Sequence, residues 1–152
     1  MTRKPTGPQT MVKPIAEVMP QSWCVAQMVE GRFVEVVPHL LVLQARAARA
    51  GDPPTQMRLT EMLGVANWEV ARYAHARTLF ARVLHHAGDA SGLYYRIRAL
   101  DAIAAMRLKM FPVGAAILEE IGTELDALEE PTRQWVLLAM AEMALERSEV
   151  ER

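Results

Sequence analysis

The chain sets apolar stripes at helical spacing between short glycine, proline and polar breaks, a pattern that predicts seven helices. No run alternates apolar and polar positions with β-branched residues, so no sheet is expected. Periodicity begins near Ile15. A first helix over about 21–30, with Trp23, Ala26 and Val29, leads to Gly31, whose missing Cβ permits a sharp turn. Phe33 opens a second helix with Val36, Val37, Leu40, Leu41 and Leu43 inward and Pro38 in its early part. Gly51-Asp52-Pro53-Pro54 closes it, since prolines do not continue a helix. Thr55 is placed to cap a third helix carrying Leu59, Met62, Leu63, Ala66 and Val70. The fourth, over about 73–87, has Ala76, Leu79, Phe80, Val83 and Leu84 at amphipathic spacing, with Arg72, Arg77 and Arg82 pointing away.

After a break at 88–92, a fifth helix presents Leu93, Ile97, Leu100, Ala104 and Leu108 on one face. Arg98 and Asp101, three apart, pair on the other. A sixth, with Pro112 in its first turn, points Val113, Ala116, Ile117 and Ile121 inward. A seventh starts at Thr132 and holds Trp135, Leu138, Met140, Ala141 and Leu145, with charges toward its end.

Three segments align without gaps, starting at Gly31, Ala71 and Lys109, with spacings of 40 and 38 residues. Each has an aromatic at its third position: Phe33, Tyr73 and Phe111. A small or β-branched residue follows three later, then a bulky apolar one. Periods of this size indicate stacked helical hairpins. In residues 57–88 the chain resembles the tetratricopeptide repeat family, on Leu63, Gly64, Ala71, Tyr73, Ala76, Phe80 and Leu84. Gly64 and Ala76 would let helix axes approach closely, while Tyr73 and Phe80 fill the gap between hairpins. Thr60 stands where that motif prefers tryptophan and Gly88 where it prefers proline, and the spacings exceed the family's usual period of about 34. The resemblance covers about residues 20–128. It implies an all-α fold: a right-handed α-solenoid of about three helical hairpins plus a C-terminal capping helix. On this reading residues 1–14 are a disordered, basic N-terminal tail, and 15–152 form a single TPR-like helical domain.

Composition adds boundaries. Half the residues are apolar, enough for a core in a 152-residue chain. Residues 1–112 hold 14 Lys/Arg against 8 Asp/Glu, and 113–152 hold 3 against 10, a split that reads first as two solvated faces, with head-to-tail self-association into a homo-oligomer or a partner of divided charge as the alternatives. Cys24, the single cysteine, allows no intrachain disulfide and suits a reducing, cytoplasmic setting. No apolar run is long enough for a membrane span, and no apolar segment follows Arg3 and Lys4 as a secretory signal would require.

Candidate chemistry is thin. His85 and His86 are adjacent on a helix and diverge by about 100°, a poor metal chelate. His39 and His75 stand on separate helices with no metalloprotease spacing. Glu119-Glu120 and Glu129-Glu130 read as solvated acidic surface. No nucleophile triad, phosphate loop or dinucleotide fingerprint occurs. The chain is therefore read as no enzyme, with no cofactor and no metal. Arg46, Arg49 and the arginines from Arg58 to Arg107 are scattered and diluted by Glu61, Glu69 and Asp101, which disfavours nucleic acid. Met57, Met62 and Met106 either fill core or adapt to a partner's surface.

The favoured expectation is a protein–protein interaction module, an adaptor or chaperone, that holds a peptide or helix of another protein in a concave groove. Small proteins of three such repeats include the type III secretion chaperones, so a bacterial secretion chaperone is the sharper form. The alternatives are a regulatory module of a nucleic-acid-associated complex and a helical enzyme. By the tetratricopeptide arrangement, the groove residues would be Arg58, Glu61, Met62, Val65, Trp68 and Glu69, joined by Arg96, Ile103 and Arg107 of the fifth helix. Trp68 is either an anchor for the partner or a core residue leaning into the next hairpin. An apolar floor flanked by arginines would suit an amphipathic segment with some acidic residues.

Overall fold

Four of the interhelical turns share one backbone device. In the computed structural model, which describes residues 17–86 and 92–151, a residue in the left-handed region follows the helix end at Gly31 (φ 78°), Gly51 (φ 64°), Ala71 (φ 62°) and Lys109 (φ 63°). Two hydrogen bonds close each turn. The Ala71 N–H donates to the Trp68 carbonyl at 3.1 Å and the Arg72 N–H to the Asn67 carbonyl at 2.8 Å. The same pair recurs at Gly31 and Arg32, at Gly51 and Asp52, and at Lys109 and Met110. This is the Schellman arrangement, which satisfies carbonyls that a helix end leaves unpaired. The three segments aligned in the sequence start at three of these four positions.

The helices so joined are α1 (Gln21–Val29), α2 (Phe33–Arg49), α3 (Pro53–Glu69), α4 (Tyr73–His86), α5 (Gly92–Arg107) and α6 (Phe111–Gly122). A short 3₁₀ turn (Leu125–Ala127) then leads to α7 (Thr132–Val150). The fold is all-α, with no strand among the described residues. The expected tail, residues 1–14, lies outside them. Each helix from α1 to α6 packs on the next in sequence, and α7 packs on both α5 and α6.

Local chemistry corrects one expectation. Asp52, rather than Thr55, caps α3: its Oδ1 accepts the Thr55 N–H at 3.3 Å. Pro53 and Pro54 occupy the first turn of α3, where a missing N–H leaves no bond unmade. Pro38 sits beyond the first turn of α2, where it leaves the Val34 carbonyl without its usual helical donor. His39 is buried in a structural role, its Nδ1 accepting the Met19 N–H at 3.0 Å and its ring meeting the edge of Trp23.

The core has three parts. Cys24, Val36, Leu40, Leu59, Leu63 and Leu79 join α1 to α4. Ala76, Phe80, Val83, Ile97 and Leu100 join α4 to α5. Ile103, Met106, Ile117, Ile121, Val136, Ala139 and Met143 join α5 to α7. Phe80 is fully buried against Gly64, where a Cβ would stand only 2.7 Å from the ring. The close approach expected at Gly64 is therefore present.

Two expected faces, those of α5 and α6, shift. α5 has no single apolar stripe: Ala99 to Met106 are all buried, because α4, α6 and α7 all pack on it, while Leu108 is exposed. α7 turns Val136, Ala139 and Met143 inward and leaves Leu138, Met140 and Leu145 exposed. α6 buries Gly114, Ile117, Leu118 and Ile121, with Ala116 and Val113 outward.

Arg77 does not point away into solvent. Its Nε lies 2.7 Å from the carboxylate of Asp101, whose side chain is only 8% exposed. Arg98 reaches the same carboxylate at 3.6 Å and Glu120 at 2.8 Å, so the expected Arg98–Asp101 pair is part of a chain of charges joining α4, α5 and α6.

Candidate functional site

The third helix exposes one side of its C-terminal half, and a cleft forms there. Met62, Val65 and Trp68 give it an apolar wall at i, i+3 and i+6, and Glu61 and Glu69 stand at either end. Arg96 and Leu100 of α5, Met28 of α1 and Trp135 of α7 complete it, around a volume of about 290 Å³. Every lining residue comes from α1, α3, α5 or α7; the even-numbered helices contribute none.

Trp68 resolves toward the next hairpin while still lining the cleft. Its Nε1 donates to the Leu100 carbonyl at 3.0 Å, and its ring meets Trp135 and Tyr73 edge to face, each at a centroid distance of 6.3 Å. The indole is thereby fixed in orientation, a rigid wall rather than a mobile side chain. Glu61 and Arg96 form an ion pair from α3 to α5 at the cleft's side. Glu69 has no ion-pair or hydrogen-bond partner among the described residues, and desolvation by partial burial raises its pKa above the ordinary carboxylate value.

Six of the nine expected groove residues thus line one cleft: Glu61, Met62, Val65, Trp68, Glu69 and Arg96. Three do not. Arg58 is exposed but off the cleft. Ile103 is 1% exposed, in the core with Val136, Ala139 and Met143. Arg107 is bound to Glu142 of α7 at 3.1 Å. Ile103 and Arg107 hold on α5 the positions that Val65 and Glu69 hold on α3, 38 residues earlier. The equivalence fails in burial because α7 lies along that face of α5, whereas among the described residues no helix lies along that face of α3.

Sequence reasoning missed Met28 and Leu100 as lining residues and read Trp135 only as core. Met28 had a signal: it stands three residues before Gly31, as Trp68 stands three before Ala71.

Chemically the cleft offers indole and thioether surface, one unpaired carboxylate and one neutralised ion pair. Among the described residues no group of three or more His, Cys, Asp or Glu is placed to hold a metal, and no helix is long and apolar enough to cross a membrane. No family model, curated protein or solved structure matches the chain.

Proposed function

We propose that this chain is a protein-interaction module, an adaptor or chaperone of tetratricopeptide-like build, which takes a peptide or amphipathic helix of a partner protein in the cleft along α3. On this reading α1–α2, α3–α4 and α5–α6 are three hairpins of a right-handed solenoid, α7 is its cap, and the protein works in the cytoplasm. The observation that carries the reading is the cleft's lining: an apolar wall built from odd-numbered helices alone, as a concave face made of the first helix of each hairpin would be. Four identical turns and the Gly64–Phe80 approach support the hairpin repeat. A secretion chaperone is the sharper version, and it rests on the resemblance alone. A nucleic-acid module is less well supported, since the cleft's one arginine is already bound to Glu61.

The test is Met62→Glu, assayed for helicity and for capture of partners from the native cell. Met62 is only half-buried, so the variant is expected to stay folded and to lose a protein that the wild-type chain retains. Unchanged capture by a folded Met62→Glu chain would remove the cleft as the binding face.

A further inference from the structure

The chain already contains a helix lying on the equivalent of its open cleft. α7 covers α5 with Val136, Ala139 and Met143, at i, i+3 and i+7, packed in one cluster with Ile103. Between them Glu142, at i+6, holds Arg107. Val65 and Glu69 stand on α3 where Ile103 and Arg107 stand on α5. The apolar position is kept and the charge is inverted.

Resting on the reading of the cleft as a partner site, we propose that its occupant is an amphipathic helix of another protein with apolar residues at i, i+3 and i+7 and a lysine or arginine at i+6. The cation meets Glu69, and the apolar side chains lie on Met62, Val65 and Trp68.

Charge complementarity carries this choice. Glu61 and Arg96 cancel each other, which leaves Glu69 as the cleft's net charge. Glu69 is the last residue of α3, where the negative end of the helix dipole adds to the attraction for a cation. Neighbouring atoms already strip part of the hydration of Glu69, although the residue is exposed, so a cation arriving there restores what desolvation took away. The indole surfaces of Trp68 and Trp135 tolerate a nearby cation as well as an apolar group. An acidic segment would meet the unpaired carboxylate and find no free guanidinium in the cleft, so the expectation of an acidic partner is reversed. The volume, about 290 Å³, suits a few side chains of a helix laid across the cleft rather than an engulfed segment.

The experiment uses the full chain and a library of helix-forming peptides displayed on phage. Wild-type protein should recover sequences with the i, i+3, i+7 apolar set and Lys or Arg at i+6. One recovered peptide, synthesised, should bind Glu69→Lys at least about tenfold more weakly, and Glu69→Gln in between. Glu69→Lys places a cation at a helix C-terminus, where it favours the fold, so lost binding is not lost structure. Selection on Glu69→Lys should shift toward Asp and Glu at i+6. Recovery of acidic peptides, or of peptides that bind Glu69→Lys equally but not Met62→Glu, would overturn the cation assignment and leave the cleft standing. Peptides indifferent to Met62→Glu, or no recovery at all, would overturn both.

Discussion

Arg77→Ala probes the interior most directly, because it removes the nearest cation from a buried carboxylate. Asp101 is 6% exposed and receives Arg77 at 2.7 Å and Arg98 at 3.6 Å. Stripping one partner from a buried ion pair costs about 3–5 kcal/mol, most of it the penalty on the charge left behind. Two features reduce that here. The Arg77 side chain is 24% exposed, so water already screens the pair, and Arg98 remains. Arg98 compensates only in part: it is also committed to Glu120, and its Nε is buried without a partner. The expected loss is about 2 kcal/mol, or about 4–8 °C in Tm for a chain of this size. The control is Arg107→Ala, whose pair with Glu142 is more exposed and should be worth about 0–1 kcal/mol. Urea unfolding followed by far-UV circular dichroism reads both. Arg77→Ala combined with Asp101→Ala should recover much of the loss, since no buried charge then remains unpaired. If Arg77→Ala costs no more than Arg107→Ala, the carboxylate is not held by Arg77 and the reasoning fails.

Ala71→Gly should stabilise by about 0.5–1 kcal/mol, because relief of the left-handed strain exceeds the entropy glycine adds to the unfolded chain. Lys109→Gly should gain less, since it also loses the contact of the ammonium with the Phe111 ring; a destabilised Ala71→Gly in the same urea assay would contradict the turn geometry. Gly64→Ala should destabilise by about 1–2 kcal/mol despite alanine's better helix propensity, as the new Cβ meets the buried Phe80 ring; a neutral or stabilised variant in thermal melts would show that the ring has room to move. The Tyr94 and Arg98 hydrogen bonds lower the pKa of Glu120, so its contribution is present above the ordinary glutamate pKa and lost as pH falls through the lowered value. Glu120→Gln should therefore trail the wild type at neutral pH and converge with it in acid, and a gap that widens in acid would contradict this.

The fold was most legible where a helix has one covered face. α4 has a single stripe, and Ala76, Leu79, Phe80 and Val83 are all buried as its spacing predicts. α5 is covered by three neighbours, so its apolar positions carry no single period, and one face read from the pattern is bound to mislead. Its alanines at 99, 102, 104 and 105 look neutral in sequence yet are fully buried, because small side chains admit close neighbours. Arg77 reads as outward by helical phase; what turns it inward is Asp101, 24 residues away, which local periodicity does not see. The cleft followed the same rule. Five of the six α3 residues placed by a local motif lie together, Arg58 being the exception; of the three carried over to α5 by position, Arg96 joins them while Ile103 and Arg107 do not, since position says nothing of what lies on top.

That failure explains the size of the cleft. Three pairs of positions match at a spacing of 38 residues: Arg58 with Arg96, Val65 with Ile103, Glu69 with Arg107. If the repeat alone decided, the open face would run on from α3 along α5. It stops because α7 lies there, and Trp135 stands at the boundary, lining the cleft while packing against the cores on both sides. Trp68 has the same double duty through its bond to the Leu100 carbonyl. Truncating either tryptophan would therefore disturb the stack and the cleft together, and a loss of binding would not say which was responsible. Met62 and Glu69 are tied less firmly: Met62 touches the first core but is half-buried, Glu69 is charged and exposed, and neither holds another helix by a hydrogen bond or ion pair. Substitutions at these two positions separate the cleft's surface from its support.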